Sequence, residues 1–279
     1  KMSFRHLIFL LGLFLVVLLP FWYFLLLPMA MILPQTYSQK ISISHTEDNR
    51  FDVDGKWSGS EIAFGSLENV VKKTDGVNAT LETKFQIESI SGETFFSLSQ
   101  LFDLDRRTLV NNPSKKDPKG QTVTLFPKHL QRTSYRWWPG TFSEPLDVMY
   151  VDTRKIDDVV TYHLKGERAD IDDTTGYTFL PTVPEKYLVL SRATIDVFVE
   201  PLTGTIIDYK DSGTSFYATS DKKPVWDISN WSNKFSDQTI NDQIAVAKNS
   251  RSRQFILEIV SPLAVAIFAG VLMFIGLHK

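Results

Sequence analysis

Twenty-seven consecutive residues, Leu7 to Leu33, carry no charge. His6 precedes the run, and the next ionised side chain is Lys40. A helix needs roughly 20 apolar residues to cross a bilayer core, so this stretch can span with residues to spare. Pro20 and Pro28 fall inside it; membrane helices tolerate proline because neighbouring groups re-satisfy the freed backbone. A second uncharged stretch runs from Leu263 to Leu277. Between the two the chain is polar and alternates with period two. The expected organisation is an N-terminal transmembrane anchor over 1–33, an extracytoplasmic β-rich domain over 34–235, a juxtamembrane helix over 236–254 and a C-terminal transmembrane helix over 255–279.

Lys1, Arg5 and His6 lie before the first run, and the positive-inside tendency keeps that end cytoplasmic. The expectation is a two-pass cell-membrane protein with both termini cytoplasmic and the main domain extracytoplasmic. The apolar run exceeds the 7–15 residues typical of a signal-peptide core, and no A-x-A-like site follows it. It reads as a retained anchor. Trp22 and Tyr23 suit the headgroup level, as do Arg251 and Arg253 before the second run. Glu258 falls one turn into the apolar region, where a carboxylate needs water, Arg251 or Arg253, or another protein chain. These five are the expected membrane-interface residues. Pro262 should kink the helix just beyond.

The balance of charge narrows the partners. Setting aside Lys1, Arg5, Lys279 and Glu258 leaves 27 basic against 31 acidic residues in the middle of the chain, a formal −4. Nucleic acid, which needs a basic face, is not an expected partner. The sequence contains no cysteine, which excludes disulfides, thiolate metal sites and cysteine nucleophiles. Large eukaryotic surface domains usually carry disulfides, so the absence points towards a bacterial or archaeal envelope.

From Tyr37 onward the pattern is that of strands. Ile41 and Ile43 alternate with serines, Phe51 and Val53 with aspartates, and Leu81, Phe85 and Ile87 with polar residues. Asp54-Gly55, Asp75-Gly76 and Ser91-Gly92 supply turns. Further strands are expected at Leu146–Val151, Val159–Lys165 and Tyr187–Val199, the last turning through Glu200 to Gly204 into Thr205–Tyr209. The fold class is mainly β, an antiparallel meander with the character of a β-sandwich. Asp237 can cap a helix whose Ile240, Ile244 and Ala247 share one face.

The search for chemistry is short. His45, His129 and His163 have no metal-ligand spacing, and no nucleophile elbow, P-loop or dinucleotide fingerprint is present. Asp170 to Gly176 places acids at calcium-loop positions, but its glycine is one place late and Pro181 stands where glutamate belongs. It reads as a solvated turn. No cofactor, no metal and no catalytic residue are expected. Trp137 and Trp138 are the candidates for ligand or partner contact. Neighbours in a strand face opposite sides, so at most one of them should be core. Asn78 and Asn230 head the sequons Asn78-Ala79-Thr80 and Asn230-Trp231-Ser232 and are the candidate glycosylation sites.

Three segments occur in order between the anchors: Leu104-Asp105-Arg106-Arg107-Thr108, Trp138-Pro139-Gly140-Thr141-Phe142 and Val199-Glu200-Pro201-Leu202-Thr203-Gly204. With the two-anchor layout they resemble the PorA-like family of envelope proteins of actinobacteria and archaea. The sequence lacks the Phe between Pro139 and Gly140 that the family's Trp-Pro-Phe-Gly form carries. The resemblance implies the anchored layout and brings no catalytic residues.

Together these readings point to a non-enzymatic envelope protein whose β domain mediates assembly or partner binding at the membrane surface, with membrane lipid and a protein as partners. The alternative is an anchored carrier of lipid or another hydrophobic ligand. An enclosed apolar cavity of several hundred Å3 opening towards the membrane would favour the carrier; a filled core with one flat exposed patch would favour assembly.

Overall fold

The computed structural model describes residues 4–50, 53–115, 117–177 and 187–278. The chain divides into two compact units, one of 34–247 and one combining 1–33 with 248–279.

The larger unit is built on a single sheet of eleven strands. These are β1 (Ser38–Asn49), β2 (Glu61–Asp75), β3 (Asn78–Ser89), β4 (Thr94–Asp105), β5 (Thr122–Val123), β6 (Tyr135–Trp137), β7 (Leu146–Ile156), β8 (Val159–Asp172), β9 (Leu188–Val199), β10 (Ile206–Ala218) and β11 (Pro224–Phe235). Their spatial order is β4-β3-β2-β1-β11-β10-β9-β8-β7-β6-β5. Two antiparallel meanders, β1–β4 and β7–β11, are joined because the first and last strands pair, with Ile43 opposite Phe235 and Asn49 opposite Ser229. That pairing replaces the expected sandwich with one curled sheet. Single bridges, Leu104 to Asn111 and Val110 to Val123, connect β4 and β5, which stand at the two ends of the strand order.

One sheet has one inner face to bury, and the side-chain period of two fills it. Ile41, Phe85, Ile87, Val148, Leu164, Ile195, Val197 and Val199 form the core with Phe126, Leu130, Trp137 and Phe142 from the segments around β5 and β6. Burying aromatic side chains of this size contributes on the order of 2 kcal/mol each.

Several expectations shift. Val53 and Asp54 lie in a turn rather than a strand, and the paired Phe51 and Asp52 fall outside the described residues. Here the chain is leaving β1: Ser58 N–H donates to Asn49 O at 2.8 Å, and Gly59 N–H to Asp48 Oδ1 at 2.8 Å. β11 went unforeseen as a strand because its polar residues face inward as well as outward. At the helix start Ser236, not Asp237, is the cap, its Oγ accepting from Thr239 N–H at 3.1 Å. In this unit the helix α3 (Asp237–Phe255) packs Ile244 and Ala247 against Val159 and Ile207.

The smaller unit packs α1 (Phe4–Phe21), which continues towards the turn α2 (Leu27–Ala30), against α4 (Ser261–Leu277). Two helices, Phe4–Ala30 and Asp237–Leu277, are long and apolar enough to cross a membrane. Glycine sets their approach. A Cβ at Gly12 would stand 2.7 Å from Met273 Cγ, and one at Gly276 2.7 Å from Phe9 Cβ. Small residues let membrane helices pack backbone to backbone in this way.

Candidate functional site

Four buried titratable groups of the β unit, His45, Glu47, Asp173 and Asp211, border or join one hydrogen-bonded cluster inside the sheet. Along β1, Ile41 and Ile43 are followed on the same face by His45 and Glu47, all four buried. Register places His45 opposite Asn233 of β11, and Asn233 opposite Asp211 of β10. Three adjacent strands thus present imidazole, amide and carboxyl in one row. On the next row, Ile43, Phe235 and Tyr209 are apolar or aromatic.

The row is continuously hydrogen-bonded. Thr141 Oγ1 meets Tyr209 OH at 2.8 Å, and Tyr209 OH donates to Asp211 Oδ2. Asn233 Nδ2 donates to Asp211 Oδ1 at 2.7 Å, leaving its Oδ1 2.8 Å from His45 Nδ1. His45 Nε2 lies 3.2 Å from Glu47 Oε2, and Ser229 Oγ donates to Glu47 Oε1 at 2.5 Å. Asp173, also buried, accepts from Ser143 Oγ at 3.1 Å.

Low-dielectric surroundings decide the protonation. Burial pushes the Asp211 carboxyl up to about 7, against the opposing hydrogen bonds of Tyr209 and Asn233. Burial likewise raises Asp173 to about 6. Tyr209 is held well above its ordinary value by burial and then by the Asp211 charge beside it. At mildly acidic pH, from about 4 to about 6, the Asp211 and Asp173 carboxyls therefore keep protons that exposed carboxylates would have released. His45, Glu47, Thr141, Asp173, Trp231 and Asn233 border a cavity of about 30 Å3. Phe85, Ile87, Phe96 and Phe142 complete its lining, so the space is polar on one side and apolar on the other. Among the described residues no group of three His, Cys, Asp or Glu side chains is placed to hold a metal ion. The chemistry available is the holding and passing of protons between neighbouring groups.

The residues singled out by sequence lie elsewhere. Trp137 and Trp138 are both buried, contrary to the expectation that at most one would be. β6 ends at Trp137, so strand alternation does not govern its neighbour. Trp137 packs against Phe126 at 5.0 Å and donates Nε1–H to Thr124 O at 3.1 Å. Trp138 meets Phe102 edge-on at 5.0 Å and donates to Gln100 Oε1 at 3.1 Å. Next to it an open cleft of about 320 Å3 lies between β4 and 111–115, lined by Gln100, Asp103, Asn112 and Lys115 among others. Asn78 and Asn230 are exposed, Asn230 accepting from Thr214 Oγ1 at 2.8 Å.

Asp170 and Asp173 diverge: the first lies 3.5 Å from Arg168 and 3.6 Å from Lys222, the second points inward. Pro181 lies outside the described residues. His163 sits apart from His45, stacked on Phe198 at 4.6 Å with Asp196 at 2.6 Å. In the helix unit Arg251 and Arg253 are exposed. Gln254 donates Nε2–H to Glu258 Oε1 at 2.9 Å, a partner one turn away on the same face. Trp22 Nε1–H donates to Leu257 O at 3.1 Å and Tyr23 OH to Glu258 O at 2.9 Å.

The inner row escaped notice although the sequence carried its signal. Ile41 and Ile43 define a buried face, and counting on by two reaches His45 and Glu47.

A mainly β domain beside two long apolar helices defines a class of membrane-associated chain. Within that class, the family model described as "Porin PorA" matches residues 6–278, and the chain belongs to this family. No curated protein matches the sequence. Among solved structures, a putative thioesterase II from Thermobifida fusca is 12% identical, with 70% of this chain and 77% of that chain covered and a TM-score of 0.14. A monomeric dehydratase domain from a trans-AT polyketide synthase split module is 8% identical, covering 70% and 82%, with a TM-score of 0.11.

Proposed function

We propose that this chain is a non-catalytic, membrane-anchored envelope protein whose β domain mediates assembly or partner binding at the membrane surface. One observation carries the reading: among the described residues, core side chains fill the inner face of the sheet, and the pocket beside His45 and Asn233 measures about 30 Å3. An acyl chain or comparable ligand needs several hundred Å3. Recognition then falls to the outer faces and loops, which supports assembly over carriage. The cleft beside Trp138 has a mixed lining, Leu101, Phe102 and Pro113 alongside Asp103, Asn112 and Lys115, and is open to solvent rather than enclosed. In this reading both termini are cytoplasmic, the β domain is extracytoplasmic, and the partners are membrane lipid and protein. The family description names a porin; two helices cannot enclose a channel, so a pore would need helix pairs from several copies.

The test is purification of the native protein from membranes in mild detergent, followed by mass spectrometry of what stays bound. A protein in fixed ratio to the chain is the expected result. One tightly held lipid per chain, with no protein partner, would instead establish the carrier.

A further inference from the structure

Both long helices are interrupted in the same way. In the first, a five-residue π-type segment, Trp22–Leu26, is closed by Leu27 N–H bonding back to Trp22 O, and Pro28 follows. In the second, Ile256–Val260 is closed by Ser261 N–H bonding back to Ile256 O, and Pro262 follows. The spacing of segment, single residue and proline is identical. Proline has no N–H. Pro262 therefore has no N–H to offer the Leu257 carbonyl, five residues back in the π pattern, or that of Glu258, four back in the α pattern.

Those two carbonyls are the ones the first helix reaches. Trp22 Nε1–H donates to Leu257 O at 3.1 Å, and Tyr23 OH to Glu258 O at 2.9 Å. Backbone oxygens in apolar surroundings need replacement donors, and these come from consecutive residues of the first helix's own π-type segment. We propose that Trp22 and Tyr23 form a clasp on the Pro262 break. The two helices are then one structural unit, and the first is retained in the mature protein. Removal of the first helix as a signal sequence would take the Trp22 donor from Leu257 O and the Tyr23 donor from Glu258 O, and would take away the Phe9 contact that Gly276 admits. The clasp does not depend on the assembly role and can stand if that reading fails.

The intact mass of protein extracted from native membranes should include residues 4–33; a mature chain beginning beyond Ala30 overturns the proposal. Hydrogen exchange on the full chain in detergent tests the clasp itself. The double variant W22F/Y23F keeps the rings and loses the donors. It should raise exchange across Ile256–Leu263 about tenfold, the scale of two modest intramembrane hydrogen bonds. In a Pro262→Ala background, which restores the missing N–H, the same pair should change exchange less than about twofold. No rise, or an equal rise in both backgrounds, overturns the clasp. If the double variant is not recovered folded, recovery on adding Pro262→Ala supports it and failure to recover overturns it.

Discussion

The inner row of the β unit and the clasp of the helix unit solve one problem with different chemistry. Each places polar atoms where water is scarce. The row satisfies them with side-chain hydrogen bonds that include the carboxyls of Asp211 and Asp173, both raised by burial. The clasp satisfies backbone carbonyls with the N–H of an indole and the O–H of a phenol. One arrangement is tied to proton concentration and the other is not. The difference also shows in sequence. Neutral donors on an apolar helix resemble interfacial anchors, while charged residues on an apolar strand face break the pattern.

The largest effect expected is from Asp211→Ala in the row. It leaves Asn233 Nδ2 and Tyr209 OH without their acceptor inside the core, and unpartnered buried groups of this kind cost about 3 kcal/mol together. Chemical denaturation of the full chain in detergent measures it. A loss below about 1 kcal/mol would mean that water replaces the carboxyl.

Next comes pH. Asp211 and Asp173 titrate near 7 and near 6 in the folded chain, against an ordinary value of 3.8. Between these values the folded state holds protons that the unfolded state has lost. Stability therefore falls as pH rises from about 4 to about 7 and then levels off. The unfolding temperature of the β unit should be about 5 °C or more lower at pH 8 than at pH 5. Asp211→Asn should flatten the part between pH 6 and 7. A melting temperature that climbs over that interval would contradict the burial argument. Exchange protection at Ile256–Leu263 should stay level over the same range, and a parallel fall there would erase the contrast between the two units.

The smallest effect expected is Gln254→Leu, which removes the donor to Glu258 Oε1. Intramembrane side-chain bonds average about 0.6 kcal/mol, so the helix pair should lose about that much in a detergent melt. A loss above about 2 kcal/mol would make this bond as consequential as the row.

Much of the fold was readable in the residues, and what was not has identifiable causes. The uncharged runs around Leu7–Leu33 and Leu263–Leu277 depend only on composition and length, so both apolar helices were evident. Alternation at Ile41–Ile43 and Leu81–Ile87 likewise reported strands. β11 was missed because Ser229, Asn233 and Trp231 face inward, and period two is invisible when both faces look polar. The sandwich expectation failed because strand order is non-local: nothing near Ile43 announces Phe235 as its neighbour. The clasp depends on a contact between Trp22 and Leu257 that spacing along the chain cannot reveal. The inner row differs, since parity from Ile43 leads directly to His45 and Glu47.

The pairing of β1 with β11 has a consequence for how the molecule is made. His45 and Asn233 are 188 residues apart, and contacts of such separation form late because their loop must close first. During synthesis the meander from β1 to β4 can assemble early from neighbouring strands. β1 must nonetheless wait, with its outer hydrogen-bonding edge and its inward His45 and Glu47 uncovered, until Phe235 has emerged. For most of its biogenesis the domain is thus an open sheet with an adhesive edge, and the last strand made is the one that closes it.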